Sequence, residues 1–258
     1  MSARPGKTAV NTVGRVQLRQ AVLMFAAIAV CAACAKEDGL TADQMIDGML
    51  AAIGPAPSRK AVQSLSTTAE GSGPEGPFAI TVTSIPPSTV YVRQQTSNGI
   101  TEIWSTPERT WGGDAGEKYE PMGRRVRDFV REQEFHLMLL DIRSRFSDFE
   151  LQAKESIAGA ECQRISMRDE AGDEASICVR PEDWLPAELR LMSGGAGGPA
   201  RIYFDDWREV DGLNLFHSST LAEESERLFS YDYVDISINT FAYEIRVPPP
   251  DLPRVRSE

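Results

Sequence analysis

FELQAKES (149–156), ECQRISMR (161–168), EASICVR (174–180), AELRLMS (187–193), ARIYFDDWREV (200–210), LNLFHSSTL (213–221) and a long run over 226–239 follow one another with only turn-forming segments between them. Each is rich in β-branched and aromatic residues and is bounded by Gly, Pro, Asp or Ser, as strands are. No helical pattern separates them, so a parallel sheet built from βαβ units is excluded and an antiparallel meander is expected. The same character appears upstream in VQSLSTTAEG (62–71), PFAITVTS (77–84), STVYVRQQ (88–95), ITEIWSTP (100–107) and RTWGGD (109–114). Ser97-Asn98-Gly99 is the clearest hairpin turn, because Asn-Gly tolerates positive φ.

Two segments break this pattern. Residues 41–53 carry Met45, Met49, Leu50 and Ile53 at helical spacing, with Thr41 or Asp43 able to cap them and Gly54-Pro55-Ala56-Pro57 to stop them. A longer helix is predicted from Pro121. One stripe runs through Val126, Phe129, Val130, Leu137 and Leu140, a second through Phe135, Met138, Leu139, Ile142 and Phe146. Its latter half, FHLMLLDI, is apolar nearly all round and should be buried on more than one side. The order helix, strands, helix, strands gives an α+β fold: one large antiparallel sheet with helices on one face.

The first 35 residues read as an export signal. Arg4, Lys7, Arg15 and Arg19 precede an apolar run over 21–35, which the charged cluster Lys36-Glu37-Asp38 closes. That run is shorter than the ~20 residues a spanning helix needs. Three fates are open: cleavage before Cys34 with lipidation of its thiol, cleavage after Ala35, or retention as an anchor. A place in the cell envelope, on the periplasmic side, is expected, with attachment to the outer membrane if Cys34 carries a lipid. Residues 36–60 form an N-terminal helix and linker, 61–250 the main domain, and 251–258 a loose tail.

Without the first 34 residues the chain has 23 basic against 38 acidic side chains, a net of −15. Such a surface repels phosphate backbones, so nucleic acid is not an expected partner. Cys162 and Cys178 flank the turn-rich segment 169–173. If their runs pair as a hairpin about Glu170, the two face each other directly, and an oxidising compartment would join them. Two buried thiols or half of a metal site are the competing readings, but no nearby His or third Cys supports a metal.

Catalytic patterns are thin. His136 lies within the apolar helical run and His217 beside Ser218 and Ser219, where neighbouring strand residues point to opposite faces. No nucleophile elbow or metalloprotease motif occurs. The glycine-rich segment 193–199 lacks the Lys and Ser/Thr of a phosphate-binding loop. Neither an enzyme nor a cofactor is expected.

The succession C-x-R-I-S-M (162–167), W-L-P-A-E-L-R-L (184–191), I-Y-F-D-D-W-R-E-V-D-G-L-N-L (202–215), V-D-I-S-I-N-T-F (234–241) and Val247-Pro248 resembles the periplasmic lipoprotein carriers and outer-membrane lipoprotein receptors, the LolA/LolB-like superfamily. The resemblance covers about residues 40–250 in order of elements. It implies an incomplete β-barrel curled around a hydrophobic slot with helices as a lid, and a lipid or lipoprotein acyl chain as ligand. Under it, Trp104, Trp111, Phe129, Leu139, Tyr203 and Trp207 are candidates for the wall or lid. An anchor at Cys34, if its thiol carries a lipid, and the acidity depart from the soluble carriers, so a lipid-sensing regulatory protein and a structural outer-membrane lipoprotein stand as alternatives.

Overall fold

The computed structural model of the chain describes residues 39–86, 89–117, 119–123, 126, 130, 133–169, 171–192, 199–223 and 228–240. The signal with Cys34, Phe129, the turn residue Glu170 and the tail lie outside them. The chain divides after Leu40.

The unit beginning at Thr41 is dominated by one antiparallel sheet of 13 strands. They are β1 (Leu65–Gly73), β2 (Gly76–Ile85), β3 (Thr89–Thr96), β4 (Gly99–Ser105), β5 (Thr110–Asp114) and β6 (Glu120–Pro121) in the first half. The second half holds β7 (Phe146–Ile157), β8 (Ala160–Asp169), β9 (Glu174–Val179), β10 (Pro186–Leu191), β11 (Ala200–Val210), β12 (Leu213–Glu223) and β13 (Leu228–Ile238). The spatial order β6-β5-β4-β3-β2-β1-β13-β12-β11-β10-β9-β8-β7 is two meanders joined at a single seam, where the first strand pairs with the last. The sheet is curved but unclosed, with β6 and β7 as its edges: an incomplete barrel.

Turn chemistry sets the hairpins. Asp211-Gly212 joins β11 to β12 with positive φ at both residues (50° and 77°), the backbone of a tight two-residue turn that matches strand twist. At Asn98-Gly99 the positive φ falls on Gly99 (139°). At the seam, Thr68 pairs with Asp235 and Ala69 with Tyr233, leaving Val234 as a bulge. That extra residue puts Tyr231 and Ile236, five positions apart, on the same inner face.

Helix α1 (Ala42–Ile53) starts at Thr41, whose hydroxyl accepts from the Gln44 amide while the Gln44 side chain accepts from Thr41 N–H. This reciprocal cap settles the choice between Thr41 and Asp43. Met45, Ile46, Met49, Leu50 and Ile53 are buried along one stripe. A short α2 (Ala56–Lys60) follows α1. Helix α1 packs against β7, β12 and α3 (Phe135–Leu140).

The expected long helix is corrected. Pro121 belongs to edge strand β6, where it pairs with Trp111. Val126 and Val130 are helical, but the chain turns at Gln133 and leaves helical geometry at Glu134 (φ −85°, ψ 38°) before α3 begins. After α4 (Ile142–Arg145) the chain becomes extended at Phe146, the first residue of β7. A core-facing aromatic satisfies the apolar stripe in either conformation, so periodicity alone could not separate helix end from strand start. All six residues of α3 are buried, as an apolar surface on every side requires.

Cys162 and Cys178 form a disulfide, with Cα atoms 5.5 Å apart. The geometry differs from direct opposition. Cys178 pairs with Arg164, so the hairpin is centred one residue later than Glu170 and the bridge runs diagonally between β8 and β9. Both cysteines are fully buried. Replacing both by Ala is expected to cost about 3 kcal/mol for a loop of this length, lowering Tm by about 6–12 °C. Thermal melts of the oxidised protein and the double variant check this; equal midpoints would contradict it.

Candidate functional site

The inner face of the sheet carries the hydrophobic core. On β2, Phe78, Ile80 and Val82 alternate with Ala79, Thr81 and Thr83; on β3, Val90 and Val92 face the same way. Helix α3 lies over the middle of this face. The His136 ring stacks on Phe216 at 3.7 Å between centroids, and Tyr233 meets it edge-on at 4.7 Å. Its Nε2 is 2.9 Å from the Phe216 carbonyl oxygen, to which it donates. Pairing of β11 with β12 has no partner pair at Asp206 and His217, and Asp206 takes a positive φ of 53°. The kink brings Phe204 and Trp207 to the same ring cluster around Phe216. Burial drives the His136 pKa down to about 3, the hydrogen bond to Phe216 opposing the shift only in part. The imidazole is therefore neutral, and Tyr231 and Tyr233 are likewise held protonated by burial.

Helices fill the middle of the inner face, and toward one end the described residues leave a cleft. A cleft of about 240 Å³ lies between the tips of the β1–β2 and β3–β4 hairpins, the end of β12 and the start of β13. Phe78, Ile80, Leu221, Phe229 and Tyr231 make its apolar wall; Gln94, Thr96, Ser97, Asn98 and Gln133 stand at its rim with Glu75 and Glu223. Two glycines of β1 shape it. A Cβ at Gly71 would lie 2.4 Å from the Phe78 ring, and one at Gly73 would lie 2.6 Å from the Phe229 ring. Bare backbone at both positions lets the two rings lie across β1 instead of standing away from it. Concave, aromatic-walled and polar-rimmed, the cleft has the make-up of a small-ligand site, slightly under the usual span of about 300–1,000 Å³.

The residues expected at the wall or lid separate. Leu139 is buried in α3, and Trp207 sits in the inner ring cluster. Trp104 pairs with Tyr91 and Trp111, on the face opposite Val92 and Ile103, so both tryptophans stand on the outer side of the sheet. Tyr203 pairs with Glu188, also on the outer face. Phe129 lies outside the described residues. The aromatic wall of Phe78, Phe229 and Tyr231 was not among the expected residues, yet it had a signal. PFAITVTS sets Phe78, Ile80 and Val82 on one parity against Ala79, Thr81 and Thr83, and the inner part of the last strand sets Phe229, Tyr231 and Tyr233 against Ser230 and Asp232. Among the described residues, no group of His, Cys, Asp and Glu is arranged to hold a metal ion.

An open, curved antiparallel sheet with helices on its inner face is the LolA/LolB-like fold, and this chain has it. Among solved structures it is similar to a LolA superfamily protein from Nitrosomonas europaea, with a TM-score of 0.55 and 11% identity over 81% of this chain and 99% of that one. It is also similar to a DUF1329 family protein from Desulfovibrio piger, with a TM-score of 0.54 and 14% identity over 78% and 95%. No family model and no curated protein matches the chain.

Proposed function

We propose that this is an exported envelope protein that binds the acyl chain of a lipid or lipoprotein, and that the ligand enters at the open end of the inner face. The observation that carries this reading is the cleft walled by Phe78, Phe229 and Tyr231, an apolar hollow toward one end of the inner face. The LolA/LolB-like fold supports it, as does the apolar run at 21–35, which fits delivery across a membrane. The specific role is trafficking of lipoproteins between membranes, with Cys34 as the anchor that would hold the protein at its station.

Titration with a series of alkyl chains of increasing length, bearing one common uncharged head, tests the proposal. Each buried methylene contributes ~0.8 kcal/mol, so affinity should rise about fourfold per carbon and then level off as the cleft fills. Phe229→Asp should weaken the tightest binder at least about tenfold, since it removes apolar wall and adds a charge. Near-ultraviolet circular dichroism verifies that the variant is folded. Affinity independent of chain length, or unchanged in a folded Phe229→Asp protein, would exclude the cleft as the acyl site.

A further inference from the structure

Two buried polar side chains line the cleft with nothing to bond. Gln133 is 8% exposed and Tyr231 6%. Gln133 sits at the turn after Val130, its backbone N–H donating to the Val130 carbonyl at 3.1 Å, but its side-chain carboxamide bonds to none of the described residues. Tyr231 lies on β13 with its ring edge-on to Phe78 at 5.4 Å, and its hydroxyl has no hydrogen-bond partner among them either. Burial keeps that phenol protonated, so it is a donor. Other polar groups of the inner face differ. The Tyr233 hydroxyl meets Ser219 at 3.3 Å and His136 donates to the Phe216 carbonyl. The Trp207 indole nitrogen also lacks an acceptor, but it is closed off from solvent and Trp207 does not line the cleft. Gln133 and Tyr231 instead border a hollow that a ligand can enter. A carboxamide offers two donors and an acceptor and a phenol one donor, and leaving such groups unpaired when buried is costly.

We infer, resting on the acyl-chain reading above, that the hydrocarbon held in this cleft is joined to its head by an amide, whose carbonyl oxygen accepts from the Tyr231 hydroxyl and whose N–H donates to the Gln133 carboxamide oxygen. Other links match the two side chains less fully. A bare hydrocarbon satisfies neither. An ester supplies a carbonyl for Tyr231 but no hydrogen for the Gln133 oxygen. An ionised carboxylate accepts from both, yet it brings a negative charge beside Glu75 and Glu223 at the rim. A secondary amide is uncharged, donates once and accepts once, and leaves both buried groups paired. Phe78 and Phe229 then take the hydrocarbon, while Gln94 and Asn98 at the rim stand ready for the head beyond the link.

The test is calorimetric binding of two probes of equal chain length, an N-methyl alkanamide and the corresponding methyl ester, each over a series of lengths. A cleft that is merely apolar prefers the ester, because an amide costs more to desolvate. Here the amide should bind at least about threefold tighter. Gln133→Met keeps the side chain's length but loses the carboxamide. It should reverse the order, weakening the amide about fivefold and changing the ester less than about twofold. Tyr231→Phe should weaken both probes by a similar factor, about fivefold, since each loses the donor to its carbonyl. Near-ultraviolet circular dichroism verifies that each variant is folded. An ester bound by the parent protein as tightly as the amide, with affinity still rising with chain length, overturns the amide link and leaves the acyl-chain reading standing. Neither probe bound at any length overturns both. An amide preference that survives in folded Gln133→Met overturns the assignment as well, since another group then reads the N–H.

Discussion

Acidification should destabilise the protein by up to about 1.4 kcal/mol per pH unit between pH 6.5 and about 3 through His136 alone. In the unfolded chain this imidazole takes up a proton at its ordinary value near 6.5. In the fold it stays neutral until about pH 3, because protonation would place a charge in an apolar layer between Phe216 and Tyr233. Across that window the unfolded state binds more protons, so stability rises with pH and is lost as pH falls. His136→Phe keeps a ring on Phe216 but cannot titrate. It should be about 1 kcal/mol less stable at pH 8, from the lost bond to the Phe216 carbonyl, and more stable than the parent at pH 4.5. Urea midpoints at the two pH values check this, and a difference between the proteins that does not change with pH would refute the buried neutral imidazole.

Arg164→Met should cost about 3 kcal/mol, whereas Arg164→Met together with Glu188→Leu should recover most of it. On the outer face of β8–β10 the Arg164 side chain is 4% exposed and that of Glu188 1%, and the two are directly paired. Glu155 receives Arg164 at 2.7 Å and Arg190 at 2.8 Å, and Arg190 also reaches Glu188 at 3.0 Å. These contacts hold the Glu155 carboxyl below the usual range, the hydrogen bond from Arg164 contributing most. Removing Arg164 alone leaves Glu188 buried with one partly exposed partner, and breaking a buried pair typically costs about 3–5 kcal/mol when the remaining charge is stranded. The Arg190 contact places this site at the low end. Removing both charges leaves the Glu155–Arg190 pair intact and strands nothing. Denaturant titration of single and double variants decides; a double variant no more stable than Arg164→Met alone would show that the pair stabilises beyond avoiding desolvation.

The strands were legible because punctuation and alternation agree along most of them, as in PFAITVTS between Gly76 and Pro86. What failed were properties carried by single residues. The β8–β9 register depends on how many residues the 169–173 turn consumes: Asp169 accepts from the Ala171 and Asp173 amides, a local arrangement composition does not reveal. The face of β4 was ambiguous because Ile103 and Trp104 are adjacent and both apolar; only the pairing with Val92 and Tyr91 assigns them. The helix break at Glu134 has the same origin, since the Glu134 side chain is 2% exposed within a run that looked continuous, and Arg145 approaches it at 3.6 Å. The cleft wall was present as parity but not as a pocket, because a glycine that makes room for a ring reads in sequence only as a weak strand residue.

The seam between β1 and β13 has a consequence for the order of folding. Leu65 meets Ile238 across almost the whole length of the domain, and every other neighbouring pair of strands is local in sequence. Each half can form hairpins as it emerges, but the central join must wait for the final strand and for closure of a very long loop, which makes late, slow consolidation the rule. Among the described strands the two meanders meet only through β13, so a chain cut before Leu228 would keep both sets of hairpins and lose the sheet that unites them.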